Sequence, residues 1–249
     1  MLTLGVAVAT GTAFLGEFMC HRGPVLLVEA DMTRKLLQDR MIGADSTKHI
    51  AVLHTEPFDI VQFVKKGAIP DAMKRAQDLR PTLVMVDSLR KTSQQDEIDS
   101  KTPGLVYEAW RQLFPGATRL ISHHDRKRPT NPQAFLNADE AARGTGAWLD
   151  DADAAMRLSR VAAQHEHKAL LTFTKYRGEE PPEIHLRMNS ELLLEPMKQS
   201  GKQALWAFRQ AHPDADEHEC RKFLLDSRLC RKSMAYRLVA EHFPLGSGK

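Results

Sequence analysis

The feature that most restricts this chain is an alternation running through its first 190 or so residues. Short runs with no polar face, Val25–Val28, Ile50–Leu53, Leu83–Val86 and Leu120–Ile121, are separated by segments with apolar residues at helical spacing, Thr33–Met41, Ile60–Lys66, Asp71–Leu79 and Leu105–Phe114. A strand that is apolar on both sides must be covered on both sides, so this pattern predicts a mostly parallel sheet flanked by helices. Right-handed crossovers then bring the carboxyl ends of all strands to one edge, where ligands bind. The residues directly after each strand are therefore the ones to read for chemistry.

Further along, Ala169–Thr174 and Glu183–Met188 flank the turn-rich Arg177–Pro182 and predict a hairpin at an antiparallel margin of the same sheet. A polar joint, Lys198–Lys202, separates a core at 1–195 from about 45 helical residues with a small domain at 203–243. From Pro196 onward ten basic residues face six acidic ones, so the tail is +4 in a chain whose net charge is +3. The overall charge is too small to argue for nucleic acid, but its concentration in the tail is informative. No apolar run reaches the roughly 18 residues of a membrane span. Met1–Leu15 is apolar, yet no positive residue precedes it, which argues against a secretory leader. Three cysteines, Cys20, Cys220 and Cys230, lack metal-ligand spacing and fit buried thiols in a reducing compartment. A cytoplasmic protein without membrane contact is expected.

After the strands come Glu29-Ala30-Asp31-Met32, with Arg40 eleven residues past Glu29; then Asp87-Ser88-Leu89-Arg90-Lys91; then Ser122-His123-His124-Asp125-Arg126-Lys127. A later loop holds Arg143-Gly144-Thr145-Gly146-Ala147-Trp148, followed by Asp150, Asp151 and Asp153. Carboxylates and cations sharing one sheet edge suit a magnesium–nucleotide site, where one Asp holds metal-bound water, another carboxylate orients the attacking water, and Lys/Arg neutralise phosphate charge. Each residue also has an ordinary explanation. Asp87 could cap the next helix, His123 and His124 could be one buried and one solvated histidine, and Arg143 could lie in a solvated turn. A metal-hydrolase reading of His123, His124, Asp125 and Asp87 meets the difficulty that adjacent strand residues point to opposite faces.

Taken in order, VLLVEADMTRKLLQDRM, LVMVDSLRK, LISHHDRK and ARGTGAW followed by aspartates resemble the RecA-like P-loop ATPases related to plasmid RepA-type hexameric replicative helicases, across roughly residues 1–160. The resemblance implies that Asp87 ends the Walker B strand and serves Mg²⁺, with Ser88 and His123 beside the nucleotide. It implies that His123, His124 and Lys127 lie near the γ-phosphate of ATP or couple it to DNA-facing loops. Arg143 would be an arginine finger reaching a neighbouring subunit, hence a ring oligomer. Asp31 falls where the family has its catalytic Glu, and Glu29, two residues earlier, is the alternative base. The family's Gly-x-x-x-x-Gly-Lys-Ser/Thr loop does not occur in the sequence, and Gly246-Ser247-Gly248-Lys249 is only a fragment of it. Met1–Gly16 reads like the helix that follows that loop, so a truncated chain that hydrolyses ATP poorly or not at all is expected.

In the tail, Gln203–Ala211, Glu217–Asp226 and Arg231–His242 read as three helices sharing Leu205, Phe208, Phe223, Leu224, Leu225, Met234, Leu238 and Val239. Arg231, Lys232, Ser233, Tyr236 and Arg237 sit as the groove- or phosphate-facing positions of a helix-turn-helix recognition helix would. A solvated amphipathic helix is the plain alternative. Two functions follow. One is a RepA-like ATPase or helicase of DNA replication or recombination, from a plasmid, phage or other mobile element, acting with other replication proteins. The other is a non-catalytic DNA-binding adaptor using a degenerate RecA-like core to oligomerise.

Overall fold

The computed structural model describes residues 1–42, 49–124, 146–160, 168–177, 183–197, 204–205, 208–209, 212–226 and 232–242. The chain divides into two compact units, Met1–Glu195 and Pro196–Lys249.

In the first unit, β1 (Val25–Glu29), β2 (Ile50–His54), β3 (Leu83–Asp87) and β4 (Thr118–Ile121) form a parallel sheet in the order β2-β1-β3-β4. β1 lies in register with both neighbours, so Glu29, His54 and Asp87 end their strands side by side. All five residues of β1 are buried. Their two faces feed different cores. Leu26, Val28, Val84 and Val86 pack with Ile60 and Val61 of α3 (Ile60–Lys66), Met73 and Ala76 of α4 (Asp71–Asp78), and Val106, Trp110 and Leu113 of α6 (Thr102–Leu113). Val25, Leu27, Leu83 and Met85 pack with α1 (Leu2–Thr10) and with Leu37 of α2 (Arg34–Ile42). This double coverage is why the sequence shows no polar alternation there. Each such buried aliphatic side chain contributes about 1.5–3 kcal/mol. A four-residue helix, α5 (Leu89–Thr92), follows β3 directly.

The helix predicted to run to Gly16 stops at Thr10. Gly11 adopts φ 73°, ψ 27°, and its N–H bonds to Ala7 O, a left-handed C-cap that turns the chain away. Phe14 and Phe18 then form an isolated antiparallel bridge. Gly23, where the chain enters β1, is constrained by space. A Cβ there would lie 2.0 Å from Thr82 Oγ1 and 2.6 Å from Thr82 Cβ. Gly23→Ala is expected to destabilise the first unit by about 1–3 kcal/mol through overpacking, read as a lower urea midpoint with unchanged m-value.

The predicted hairpin is present, but not where it was expected. β6 (Lys168–Lys175) and β7 (Ile184–Met188) are antiparallel and belong to a second four-stranded sheet, β5-β6-β7-β8, rather than to the margin of the first. Its outer strands, β5 (Ala155–Arg160) and β8 (Leu194–Pro196), escape the sequence reading because neither is a continuous apolar run. β5 reads AMRLSR, an alternating strand with Met156 and Leu158 exposed. Among the described residues β4 has a neighbouring strand on one side only. Between the sheets in sequence lies α7 (Ala147–Asp150).

In the second unit, α8 (Glu217–Asp226) and α9 (Lys232–His242) pack together, with Ala204, Leu205, Ala215, Cys220, Leu224, Ala235, Leu238 and Val239 buried and Phe208 and Phe223 against them. Phe208 and Phe223 stack with ring centroids 4.3 Å apart. Residues 204–205 and 208–209 are helical; the rest of the first expected helix and the turn at 227–231 lie outside the described residues. Leu225, expected in this core, is exposed because Leu224 takes the inward position. Cys220 is a buried free thiol whose pKa burial raises, and Cys20 is free and half-buried. Cys230 lies outside the described residues. Among those residues no helix is long and apolar enough to cross a membrane.

Candidate functional site

The carboxyl edge of the parallel sheet is stitched together by backbone hydrogen bonds between successive loops. Ala30 N donates to Asp87 O (2.8 Å), Thr55 N to Glu29 O (3.0 Å), and Leu89 N to Ser122 O (2.9 Å). The residues following β1, β3 and β4 are therefore held at fixed spacing, which a site built from three loops needs.

Glu29 is fully buried. Its Oε1 accepts hydrogen bonds from Asp31 N and Met32 N, both at 2.8 Å, and its Oε2 is buried without a partner among the described residues. Burial raises its pKa above the ordinary carboxyl value, opposed by the two N–H donors and reinforced by the charges of Asp87 and Asp31. A carboxylate with one oxygen fixed and the other unpaired is arranged to accept a proton at that second oxygen. The same bonds define Asp31. Because β1 ends at Glu29, Asp31 is not a continuation of the strand on Glu29's side, as the sequence pattern suggested, but lies in a turn closed by Glu29 itself.

Asp31 lies between a lysine and a histidine, with Lys91 Nζ 3.7 Å from Oδ1 and His124 Nε2 3.7 Å from Oδ2. Asp87, level with Glu29, accepts a hydrogen bond from Ser122 Oγ at 2.6 Å. Ser88, directly after it, is buried, and among the described residues its hydroxyl has no hydrogen-bond partner. Glu29, Asp31, Asp87, Ser88 and His124 thus converge on one edge. Lys91 and Ser122 join them without having been assigned from sequence; their only signal was position, just after β3 and β4.

His123 diverges from its neighbour. β4 ends at Ile121, so the two histidines lie in a loop instead of on a strand, and they separate there. His124 reaches Asp31, while the His123 ring is 5.5 Å from the ring of Trp148. Trp148, on α7, is buried in the main core; its Nε1 donates to Glu97 O (3.2 Å) and its carbonyl accepts from Tyr107 Oη (2.9 Å). Burial, with the Asp151 charge, pushes the Tyr107 pKa up to about 12, so this phenol stays a donor across the ordinary pH range. Lys175 of β6 donates to Leu149 O and Asp150 O, both at 2.8 Å, capping the end of α7. α7 is therefore anchored beside the histidine loop. Lys127 and Arg143 themselves lie outside the described residues.

Among the described residues no group of three or more His, Cys, Asp or Glu is placed to hold a metal ion. Of the hydrolase set His123, His124, Asp125 and Asp87, Asp125 lies outside the described residues. The residues present fit Mg²⁺ carrying most of its own water, which needs only one or two carboxylates together with phosphate oxygens. They also fit a phosphate chain, since the Lys91 ammonium and the His124 ring both stand at this edge beside Asp31 and can donate to phosphate oxygens.

In the second unit, Tyr236 and Arg237 are exposed on α9, and the Arg221 guanidinium lies 5.1 Å from the Tyr236 ring centroid. Arg231 lies outside the described residues, as do the side chains of Lys232 and Ser233.

No curated protein matches this chain. A family model described as an AAA domain matches residues 1–130, just over half of the 249. That span includes the whole parallel sheet and its loaded edge, and the chain belongs to the AAA domain family, whose members are ATPases of the P-loop type.

Proposed function

We propose that the first unit is the ATPase core of a RepA-like helicase or a close relative, coupling ATP hydrolysis to remodelling of DNA. The observation that carries this reading is the buried, half-unpaired carboxylate of Glu29 standing level with Asp87 at the edge of a parallel sheet. A bound magnesium–nucleotide would supply the phosphoanhydride and the divalent charge. Glu29 would take the proton of the attacking water at Oε2, and Asp87, oriented by Ser122, would hold a water of the metal shell. His124, Lys91 and Lys127 would face phosphate charge, with Ser88 and His123 lining the approach. Arg143 would act across a subunit boundary, so the working assembly is a homo-oligomeric ring. The geometry favours Glu29 over Asp31 as base, because both Asp31 oxygens already face other groups, Lys91 and His124.

Isothermal titration of MgATP into the full chain tests this. Binding is expected in wild type and is expected to weaken at least tenfold in Asp87→Ala, the scale of one charged contact. Absence of any binding would sink the ATPase reading and favour the adaptor. Steady-state turnover is expected at background, because no residue of these 249 supplies the Gly-x-x-x-x-Gly-Lys-Ser/Thr phosphate cradle.

The second unit is proposed to bind DNA through α9, using Arg231, Lys232, Ser233, Tyr236 and Arg237. The exposed Tyr236–Arg221 stack beside Arg237, on a tail of charge +4, supports it. Fluorescence anisotropy with duplex DNA should show salt-dependent binding. Arg237→Ala should weaken it by about tenfold across unrelated sequences and reduce the salt slope by about one, as loss of a phosphate contact does. Unchanged affinity and slope would leave α9 an ordinary solvated helix.

A further inference from the structure

Asp31 occupies a position that neither a catalytic base nor a simple surface charge explains. Its backbone N–H is held by Glu29 Oε1 at 2.8 Å, which fixes where on the turn the carboxylate starts. Its two oxygens each face a different nitrogen at 3.7 Å, Lys91 Nζ from the helix after β3 and His124 Nε2 from the loop after β4. At 3.7 Å these are ion pairs without a short hydrogen bond, and all three side chains are partly exposed, with relative exposures of 34% for Asp31, 42% for Lys91 and 62% for His124. Such pairs are weak and readily exchanged. Lys91 and His124 come from two elements, the helix after β3 and the loop after β4, which are also joined by the Leu89 N to Ser122 O hydrogen bond. The backbone of Lys91 is meanwhile fixed from the other side, its carbonyl accepting from Phe58 N at 2.9 Å. Only the long lysine stem is left to move.

We propose that Asp31 is a built-in stand-in anion. Its carboxylate holds Lys91 and His124 in the ligand-free protein and yields them to the phosphate oxygens of an incoming nucleoside polyphosphate. Binding then proceeds by exchange of one anion for another, and the affinity for phosphate is lowered by the cost of breaking the internal pairs. Because the Asp31 N–H is bonded to Glu29, the exchange takes place on the same turn that fixes the proposed base. The proposal rests on the nucleotide-site reading above, and it makes Lys91 and Asp31 positioning residues that set ligand affinity.

The test is a double-mutant cycle on the full chain, with inorganic tripolyphosphate in the presence of Mg²⁺ as probe and isothermal titration as readout. Asp31→Asn is expected to tighten tripolyphosphate binding about five- to tenfold, the effect of releasing two exposed ion pairs. Lys91→Gln should weaken it, and the gain from Asp31→Asn should largely disappear in the Asp31→Asn/Lys91→Gln/His124→Gln protein, the non-additivity expected of groups in direct contact. If wild type binds while Asp31→Asn binds equally or more weakly, the proposal fails and the nucleotide site stands. If the gain persists undiminished without Lys91 and His124, Asp31 acts only through its distant charge and the proposal fails. If neither wild type nor Asp31→Asn binds at millimolar probe, the nucleotide-site reading falls and takes the proposal with it. The substituted groups are partly exposed, and a thermal melt of each variant verifies that the fold is intact.

Discussion

Replacing Trp148 by Ala is expected to lower the melting temperature of the protein by about 10 °C. The side chain is 3% exposed and packs in the core beneath the sheet. Removing such a ring costs about 3–5 kcal/mol, and a domain of this size loses about 2–4 °C per kcal/mol. Trp148 also holds contacts that no smaller residue reproduces, its Nε1 bond to Glu97 O and its edge-on contact with Tyr107 at 5.8 Å between centroids. Trp148→Phe keeps most of the buried area and gives up one hydrogen bond, so its cost should be nearer 1–2 kcal/mol. Differential scanning calorimetry separates the two. A Trp148→Ala melt within a degree or two of wild type would mean that α7 contributes little to the core, and that its anchoring is weak.

Glu29 should respond in opposite directions to two substitutions. At pH 8 the native protein holds a buried carboxylate whose pKa burial raises. In the unfolded chain that group ionises near its ordinary value of about 4.3, so between the two values the native state binds more protons and stability falls as pH rises. Glu29→Gln keeps an oxygen for the N–H groups of Asp31 and Met32 and carries no charge. It is expected to stabilise the protein by about 1 kcal/mol at pH 8, the advantage shrinking as pH falls toward 4. Glu29→Leu removes the acceptor for both N–H groups and should destabilise by about 2–3 kcal/mol at either pH. Urea titrations of the three proteins at pH 8 and pH 5 measure this directly. A Glu29→Gln protein less stable than wild type at pH 8 would show that the carboxylate's charge is favourable where it stands, and would remove the argument for Glu29 as a strained base.

Much of the parallel sheet could be read before any coordinates existed. A strand buried on both faces leaves a continuous apolar run, and Val25–Val28 and Leu83–Val86 carry that run openly; Ile50–Leu53 carries it too, although Val52 is exposed at the edge of the sheet. β5 and β8 do not. Met156-Arg157-Leu158-Ser159 alternates polar and apolar residues with Met156 and Leu158 exposed, and three residues at Leu194–Pro196 are too few for periodicity to register. The candidate site divides in the same way. Glu29, Asp31, Asp87 and His124 were legible because each directly follows an apolar strand, and parallel topology brings such residues to one edge.

Tertiary structure alone decided the surroundings of each. Sequence spacing could not separate Glu29 from Asp31. Their surroundings depend on β1 ending at Glu29, on the Glu29 side chain folding back to close the turn, and on Lys91 and His124 from other loops facing Asp31. Nor could it part His123 from His124, since the two diverge only because Trp148 packs against one while Asp31 meets the other. Local sequence fixes which backbone segments are strands or helices, because burial on one or two faces writes its period into the chain. Desolvation, an unpaired oxygen and the choice of counter-ion arise between segments far apart in sequence, and they exist only once those segments have been packed together.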